Sequence, residues 1–282
     1  MKIERASEMG FCFGVRRAIE IVERAVREQG PLQTLGPLVH NKQVVDDLAK
    51  DEIEAVSNLE EVKKHIVAIP SHGASPEVLK RVKALGLEVV DATCPYVRKV
   101  QLAAQRLGKD DFYVLVFGDV LHPEVKAVLG WAGEKASAAL EVPNPANLPK
   151  RIGIVCQTTQ NQSRFADFVA RIISSENTKY SELRIINTIC DATRKRQSAA
   201  LELVKRTDLI IVVGGRDSSN TRRLAEICEA AGAVTYHIEN EGEIKPSWLQ
   251  GKRRIGVTAG ASTPDEIIEQ VVTRLKELDR NN

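Results

Sequence analysis

The chain has 282 residues, of which 43% are hydrophobic, and its 40 basic and 38 acidic side chains give a formal net charge of +2. This balance excludes a protein that coats a polyanion, and the 4% of aromatic residues leave little for stacking on single-stranded nucleic acid, so we expect no nucleic-acid partner. No apolar run reaches the roughly 18 residues of a membrane span, and the charged N-terminal segment is not a signal peptide, which predicts no membrane partner and a cytoplasmic protein, or an organelle protein without its transit peptide.

Apolar runs alternate with amphipathic stretches along the chain, which is the pattern of a parallel α/β fold. In chain order the pattern predicts helix Val15–Gln29, strand His65–Pro70, helix Pro76–Leu85, strand Leu87–Val90, helix Val97–Leu107, strand Phe112–Phe117, helix Glu124–Ala132, strand Ile152–Val155, helix Gln162–Ser174, strand Leu183–Ile186, helix Thr193–Arg206, strand Leu209–Val213, helix Thr221–Ala231, strand Ile255–Val257 and helix Pro264–Leu278. The strands are almost continuously apolar, as strands covered on both faces are. A proline-rich loop is expected at Pro143–Pro149 and a frayed tail at Asp279–Asn282.

Three cysteines divide the chain into similar stretches. The same spacing of 28 residues separates Cys12 from His40, Cys94 from His122 and Cys190 from Ser218. A second strand-end motif follows in each stretch and contains His72, Thr158 with Thr159, and Ser262. The repeat predicts three similar small α/β units, residues 1–94, 95–190 and 191–282. Because parallel sheets bind ligands outside the carboxyl ends of their strands, we expect the units to surround one central cavity in a pseudo-threefold, trefoil-like arrangement.

The cysteines are five in number and widely spaced, which fits reduced thiols better than a disulfide framework. A lone free cysteine usually acts as a small buried hydrophobe, but three at equivalent strand ends beside helix N-termini indicate metal ligation. Zinc is the main alternative metal, although its structural sites usually use paired Cys-x-x-Cys spacings and four ligands. Three separated cysteines instead fit one [4Fe–4S] cluster with an open fourth iron. Cys156 and Cys228 lie outside the repeat, and we expect both to pack in the core.

The polar loops indicate an anion site and a proton donor. The loop Gly214–Thr221 offers hydroxyls, an amide and backbone N–H groups before a helix, which suits a phosphate group as well as an ordinary N-cap. Glu124 stands two residues after His122 in the first turn of a predicted helix. In one interpretation Glu124 is an ordinary surface glutamate in the first turn of a helix. In the other it faces the cavity, where desolvation would raise its pKa and suit it to acid catalysis.

Nine short motifs occur in a distinctive order along the chain. They are Gly10–Val15, Gly36–Asn41, Ser71–Gly73, Ala92–Pro95, His122–Val125, Gln157–Thr159, Thr188–Cys190, Ser218–Asn220 and Thr258–Ser262. Together they resemble the LytB/IspH family of 4-hydroxy-3-methylbut-2-enyl diphosphate reductases, and the resemblance covers essentially the whole chain. It implies the last step of the non-mevalonate isoprenoid pathway, in which two electrons and protons remove the allylic hydroxyl as water and yield isopentenyl and dimethylallyl diphosphates.

The resemblance also implies roles for individual residues. It places the [4Fe–4S] cluster, with its open iron, on Cys12, Cys94 and Cys190. It places the diphosphate of the substrate on His40, His72, His122, Ser218, Ser219, Asn220 and Ser262. Thr158 would contact the substrate near its hydroxyl, Glu124 would relay protons, and His122 would stand beside them in the catalytic group. A small ferredoxin- or flavodoxin-type protein would donate the electrons.

Two other functions remain open from the residues themselves. The first is a non-redox dehydratase or condensing enzyme that uses a three-thiolate cluster only as a Lewis acid, as quinolinate synthase does. The second is a zinc or iron sensor without turnover. Dependence on a reductant separates the first from a reductase, and the diphosphate-type donors and the Glu124 loop disfavour the second.

Overall fold

The structure is a computed structural model that describes residues 1–144, 147–174 and 180–280. The strands in these ranges are β1 Lys2–Arg5, β2 Leu32–Leu35, β3 Ile53–Val56, β4 Ile66–Ile69, β5 Glu88–Asp91, β6 Tyr113–Phe117, β7 Ala136–Ala139, β8 Arg151–Cys156, β9 Glu182–Ile185, β10 Leu209–Val213, β11 Thr235–Ile238 and β12 Arg254–Ala259. The α-helices are α1 Phe13–Gln29, α2 Lys42–Lys50, α3 Pro76–Ala84, α4 Pro95–Lys109, α5 Pro123–Ala132, α6 Gln162–Ile173, α7 Asp191–Val204, α8 Ser219–Ala230 and α9 Asp265–Arg280. The predicted loop Pro143–Pro149 and tail Asp279–Asn282 fall partly outside the described residues.

The strands form three four-stranded sheets, and every strand pair is parallel. The strand orders are β3-β2-β4-β5, β7-β6-β8-β9 and β11-β10-β12-β1. All three sheets therefore repeat one pattern, in which two inner strands are flanked by two edge strands. The predicted α/β class with three similar parallel sheets is confirmed.

The N-terminal strand β1 completes the sheet formed by the C-terminal part of the chain. Its Lys2 lies opposite Arg254 and its Arg5 opposite Val257 in β12. The strand thus occupies the edge position that β5 and β9 occupy in the other two sheets. Each of these three edge strands precedes one of the cysteines of the repeat.

The chain divides into two compact units. One consists of Met1–Arg16, Val39–Asp46 and Asp191–Asn282 and holds the sheet with β1. The other consists of Arg17–Leu38 and Asp47–Cys190 and holds the remaining two sheets. The three-unit division into residues 1–94, 95–190 and 191–282 stays a prediction.

The inner strands are buried on both faces, and for all of them except β2 an apolar run predicts this. In β10, Leu209, Ile211 and Val213 pack in a cluster with residues of α9, whereas Ile210 and Val212 pack on the other face with residues of α7 and α8. Burying one such side chain contributes roughly 1.5–3 kcal/mol, so the sheet is held from both sides. Cys228 belongs to the second cluster and Cys156 to the core around β8, which confirms the prediction that both pack in the core.

The sequence pattern did not predict five of the strands and one of the helices, namely β1, β2, β3, β7, β11 and α2. Four of these strands lie at sheet edges, where one side faces other elements or solvent and a continuous apolar run is not required. The fifth, β2, is an inner strand that carries Gln33 and Thr34. The Gln33 Oε1 atom accepts hydrogen bonds from the N–H groups of Lys63 and Lys64, so a polar side chain is buried there with partners.

Prolines and polar caps set the helix starts. Pro76, Pro95 and Pro123 occupy the first helical position of α3, α4 and α5, where the missing N–H group costs no intrahelical hydrogen bond. Pro264, which was expected to begin the last helix, directly precedes it. Within the described ranges, no helix combines the length and the apolar character needed to cross a membrane.

Candidate active site

The loops after the first inner strand of each sheet have a common construction. The residue that follows the strand is Gly36, Gly118 or Gly214, and its N–H group bonds to the carbonyl of the last residue in the neighbouring edge strand. The polar residues of the predicted repeat lie four positions further on, at His40, His122 and Ser218. The structural register therefore agrees with the 28-residue spacing read from the sequence.

The loops after the second inner strand are tied to the cysteines through the backbone. The cysteine N–H groups donate to carbonyls in these loops: Cys12 to Ala261 over 3.0 Å, Cys94 to Ser71 over 2.9 Å, and Cys190 to Thr158 over 3.1 Å. This bonding makes Ser71, Thr158 and Ala261 structural counterparts. Thr159, the residue after Thr158, is therefore the counterpart of His72 and Ser262. Thr158 itself is the residue whose carbonyl accepts the N–H of Cys190.

The three repeated cysteines differ from the other two in exposure. Cys12, Cys94 and Cys190 are half-buried and directly precede α1, α4 and α7, whereas Cys156 and Cys228 are buried. Burial raises the pKa of Cys228 to about 12 and raises the pKa of Cys156 well above its usual range, so both remain thiols. The Cys12 Sγ atom accepts a hydrogen bond from the N–H of Val15 over 3.4 Å, as a sulfur at a helix N-terminus can.

These features fit the donor set of a thiolate-bound cluster. All five cysteines are free of disulfide bonds. No group of three or more His, Cys, Asp and Glu residues that could hold a metal ion is found in the described part of the chain. An iron–sulfur cluster is larger than a single ion and uses one thiolate for each ligated iron, so its cysteines need not meet at one point.

Glu124 is buried at the start of α5, and both oxygens of its carboxyl group accept hydrogen bonds from Thr158. Its Oε1 atom accepts a hydrogen bond from the Thr158 N–H over 2.7 Å, and its Oε2 atom accepts one from Thr158 Oγ1 over 2.7 Å. The side chain is only 3% exposed. The interpretation of Glu124 as an exposed helix-start residue is therefore excluded, and the carboxylate is joined to the loop that also binds the Cys190 N–H.

Burial makes the carboxyl group of Glu124 a weaker acid than usual. It raises the pKa of this carboxyl from its usual 4.5 to about 6, and the two hydrogen bonds from Thr158, which favour the charged form, oppose part of the increase. A carboxyl with this pKa holds and releases a proton near neutral pH, as a general acid must.

His122 caps the helix that carries Glu124. Its Nδ1 atom accepts a hydrogen bond from the Glu124 N–H over 3.1 Å, so a neutral imidazole carries its proton on Nε2. The backbone thus fixes which nitrogen can donate to a ligand.

Gln157 supports the His122 loop, and sequence reasoning assigned it no role although it lies in the Gln157–Thr159 motif. Its Oε1 atom accepts hydrogen bonds from the N–H of Asp119 over 3.1 Å and from Gln160 Nε2 over 2.9 Å. The carbonyl of Asp119 in turn accepts the N–H of His122 over 3.0 Å. A Cβ atom on Gly118 would lie 2.9 Å from Gln157 Cβ, so this position requires glycine. The feature of the sequence that could have indicated a role for Gln157 is its position directly before Thr158.

His72 is buried in the loop after β4, which is tied to its neighbours on both sides. The Ser71 Oγ atom donates to the carbonyl of Leu38 over 2.9 Å, and Trp131 Nε1 donates to the carbonyl of Ala74 over 2.9 Å. Gly73 has φ +75°, and a Cβ atom there would lie 2.3 Å from the Nε2 atom of Gln101. The loop therefore depends on glycine to hold His72 in place.

Buried polar groups without a hydrogen-bond partner among the described residues occur in the first turn of α8 and in β12. Ser218 caps the helix, because its Oγ atom accepts the N–H of Thr221 over 3.3 Å. Ser219 and Asn220 follow in the first turn, and both are about 95% buried. The Oδ1 and Nδ2 atoms of Asn220 and the Oγ1 atoms of Thr221 and Thr258 have no hydrogen-bond partner within the described residues. Buried polar groups are normally paired, so these atoms are the ones in this region that a polar ligand could satisfy.

His40 belongs to the same compact unit as this loop. Ser262 Oγ donates to the carbonyl of His40 over 3.1 Å, which joins the two predicted binding loops. Burial lowers the pKa of His40, and Arg222 acts in the same direction while Asp217 opposes it. The imidazole is therefore mainly neutral at neutral pH and can donate from one nitrogen.

The structure places the predicted residues in two groups. One compact unit holds Cys12, His40, Ser218, Ser219, Asn220 and Ser262. The other holds Cys94, Cys190, His72, His122, Glu124 and Thr158. Each residue lies at the carboxyl end of a strand or at the helix start that follows it.

Comparison with known proteins gives one consistent result. The profile described as LytB protein matches residues 3–276. A protein of Dehalococcoides mccartyi named 4-hydroxy-3-methylbut-2-enyl diphosphate reductase is 46% identical over 281 residues, 99% of each chain. A protein of the same name from Geobacter sulfurreducens is 42% identical over 281 residues, 99% of this chain and 98% of the relative.

Two solved structures have similar folds. One is described as (E)-4-hydroxy-3-methyl-but-2-enyl diphosphate reductase, the terminal enzyme of the non-mevalonate pathway. It is 41% identical, with a TM-score of 0.68 over 98% of this chain and 100% of its own. The other is the E-1-hydroxy-2-methyl-but-2-enyl-4-diphosphate reductase of Plasmodium falciparum. It is 27% identical, with a TM-score of 0.90 over 98% of this chain and 88% of its own.

Proposed function

Because the chain belongs to the LytB protein family, we propose that it catalyses the reductive dehydroxylation of 4-hydroxy-3-methylbut-2-enyl diphosphate to isopentenyl diphosphate and dimethylallyl diphosphate. It is then an oxidoreductase of the non-mevalonate isoprenoid pathway. Two electrons and two protons are consumed. The allylic C–O bond breaks, the oxygen leaves as water, and a C–H bond forms at one of two allylic carbons, which accounts for two products.

The observation that carries this function is the buried pair of Glu124 and Thr158. A carboxyl with a pKa of about 6 is joined to a hydroxyl, and the same loop binds the backbone of a cysteine in the proposed ligand set. A proton source is thereby held beside a candidate redox centre. Neither a metal sensor nor a purely structural metal site needs a buried titratable carboxyl at that place.

We assign Cys12, Cys94 and Cys190 as the ligands of one [4Fe–4S] cluster with an open fourth iron. Their equivalent positions and their exposure, which the two buried cysteines lack, support the assignment. When bound, the cluster would supply single electrons and a Lewis-acidic iron for the substrate hydroxyl. The thiolates would be favoured by the N-terminal ends of α1, α4 and α7.

The residues around Glu124 would deliver the protons. About a tenth of Glu124 is protonated at pH 7 with a pKa of about 6, and the fraction rises as the pH falls. The Thr158 hydroxyl, 2.7 Å from Glu124 Oε2, can accept this proton while it passes its own to the leaving oxygen. His122 would donate from Nε2, since its Nδ1 is occupied by the helix start.

The diphosphate would bind neutral donors. We assign this role to His40, His72, His122, Ser218, Ser219, Asn220 and Ser262. The buried amide of Asn220, which has no partner within the described part of the chain, and the start of α8 support an anion at this place. Hydrogen bonds from neutral donors to a charged group contribute about 1.5–3 kcal/mol each, which is enough to hold a diphosphate without a lysine.

Two further parts of the proposal rest on the family resemblance. They are a ferredoxin- or flavodoxin-type protein as the electron donor and a cytoplasmic location.

An anaerobic turnover assay tests the function. The purified protein, reconstituted with iron and sulfide, is mixed with 4-hydroxy-3-methylbut-2-enyl diphosphate and dithionite-reduced methyl viologen. Two molecules of the one-electron dye should be oxidised for each molecule of either product that forms. Conversion of the substrate without consumption of reductant would instead identify a dehydratase.

A further inference from the structure

A buried arginine stands at one position of the repeat where the other two copies have apolar residues. The residue six positions after the repeated cysteine is Ala18, Val100 or Arg196. All three side chains are buried, and Arg196 is only 4% exposed. An arginine is almost never buried this deeply without an acidic partner, because its guanidinium group always carries a charge. The other two copies show that an apolar residue fits this core position, so packing alone does not explain the charge.

Arg196 forms no ion pair with any residue that the structure describes. Its Nη2 atom donates to the carbonyl of Gly10 over 2.7 Å, and its Nη1 atom donates to the carbonyl of Ala192 over 3.1 Å. Its Nε atom is buried and has no hydrogen-bond partner in the described ranges. Asp265, whose Oδ1 atom would lie 2.8 Å from a Cβ atom on Gly10, is largely exposed and pairs with Arg16. A buried charge is costly unless an opposite charge lies near it, so the position indicates an anion.

The hydrogen bond to Gly10 places this charge near Cys12. Arg196, Gly10 and Cys12 belong to the same compact unit. Gly10 is buried two residues before Cys12, and the Cys12 N–H is itself bound to the carbonyl of Ala261. Two residues of chain span at most about 7 Å, so the guanidinium group lies within roughly 12 Å of the Cys12 backbone. The thiolate of Cys12, with any metal group bound to it, is therefore an anion within reach of this charge.

We propose that Arg196 is a positioning residue that fixes the segment before Cys12 and favours reduction of the metal centre through its buried positive charge. This role rests on the proposed function, in which Cys12 is a ligand of an iron–sulfur cluster. Reduction adds one electron from an external reductant, and so one negative charge, while no bond is made or broken. A nearby positive charge favours the more negative state. At about 12 Å and an effective dielectric constant of about 20, a unit charge changes the equilibrium constant about tenfold.

The test measures the reduction potential of the cluster-loaded protein, which does not require turnover. Arg196→Gln removes the charge and keeps an amide that can donate to the carbonyl of Gly10. In a redox titration followed by electron paramagnetic resonance, the equilibrium constant for one-electron reduction should fall about tenfold, which lowers the midpoint potential by about 59 mV. Arg196→Lys keeps the charge without the planar guanidinium group, and its equilibrium constant should stay within about threefold of that of the unmodified protein.

Lys195→Gln is the matched control, because it removes the same charge from the adjacent position of α7. Lys195 is exposed, whereas Arg196 is buried. Water and salt screen an exposed charge, so the equilibrium constant for reduction should change by less than about twofold in this variant. An equal fall in both glutamine variants, or no fall in Arg196→Gln with an intact cluster, would overturn the role of Arg196.

Circular dichroism and iron content separate this role from a purely structural one. A folded Arg196→Gln protein that loses iron, while Arg196→Lys retains it, would also support a charge that serves the metal centre. Failure of Arg196→Gln to fold would overturn the proposal, because the fold itself would then need the arginine. A cluster-loaded protein without turnover would contradict the proposed reaction alone, since the comparison of potentials would still decide the role of Arg196. Absence of a cluster from the unmodified protein would overturn both.

Discussion

Glu124 and Thr158 are joined by two hydrogen bonds of 2.7 Å each, one from the backbone N–H and one from the hydroxyl of the threonine. The pair links the start of α5 to the loop after β8, and the carbonyl of Thr158 accepts the N–H of Cys190. A buried acid, a hydroxyl that can relay its proton and a cysteine of the repeat are thus connected through one residue.

Replacement of Glu124 by glutamine should separate proton delivery from folding. Glu124→Gln keeps the shape of the side chain and removes the transferable proton, so turnover should fall about 10²–10⁴-fold. Iron content and substrate affinity should change little. Glu77→Gln is the matched control, because Glu77 also lies in the first turn of a helix but is exposed. Near-normal turnover of Glu124→Gln with saturating dye reductant would rule out this carboxyl as the proton donor.

The same carboxyl should make stability depend on pH in a defined direction. Its pKa in the folded protein, about 6, is higher than its usual 4.5, so the protonated form is favoured on folding. The raised pKa stabilises the folded protein by about 2 kcal/mol at pH values below the usual pKa of 4.5. This stabilisation is lost as the pH rises through about 6, the pKa in the folded protein. Between about pH 5 and about pH 8, denaturant unfolding should show the free energy of unfolding decrease by about 1 kcal/mol relative to Glu124→Gln. A constant difference between the two proteins would show that the pKa of Glu124 is not raised.

Removal of single donors should weaken substrate binding without loss of the cluster. Alanine at His40, Ser218, Asn220 or Ser262 removes one hydrogen bond to a charged group, which corresponds to a roughly 10- to 150-fold weaker affinity. Asn161→Ala is the control, because Asn161 caps α6 through the N–H of Arg164 and lies on an exposed turn. Titration calorimetry with the substrate measures the effect. Unchanged affinity in all four variants would show that the diphosphate binds elsewhere.

Gln157 should matter for stability and for substrate affinity together. Gln157→Leu leaves the Asp119 N–H and the Gln160 amide without their buried acceptor, at a cost of about 2–4 kcal/mol. Thermal unfolding should show this loss, and the KM for substrate should rise because the His122 loop is no longer fixed. Gln43→Leu, at an exposed position of α2, should alter neither quantity. A stable variant with normal KM would remove Gln157 from the support of this loop.

The sequence predicted which residues stand at equivalent strand ends, because a repeat carries long-range information. The equal spacing of Cys12, Cys94 and Cys190 from their polar loops implied equivalent strand ends, and the backbone bonds of the three cysteines now show the same equivalence. Five of the six inner strands were recognised by their apolar runs, and β2, which carries Gln33 and Thr34, was not. The functional roles of the site residues stay predictions until they are measured.

Other features could not be predicted because nothing local encodes them. The pairing of Lys2–Arg5 with β12 joins segments about 250 residues apart, and the short charged strand has no apolar run. A polar residue such as Gln33 does not suggest a buried strand. Its burial is explained only by its partners, the N–H groups of Lys63 and Lys64. The register that makes Thr159 rather than Thr158 the structural counterpart of His72 depends on hydrogen bonds, and residue spacing alone could not decide it.

The most direct measurement is the iron and sulfide content of anaerobically purified protein, with its visible and electron paramagnetic resonance spectra, for five cysteine variants. The unmodified protein should hold about four irons and about four sulfides per chain. Cys156→Ala and Cys228→Ala should match it, because both cysteines are buried in the core. Cys12→Ser, Cys94→Ser and Cys190→Ser should each lose the cluster or hold it only transiently. A complete and stable cluster in any of these three variants, or zinc in place of iron in the unmodified protein, would contradict the proposed redox centre.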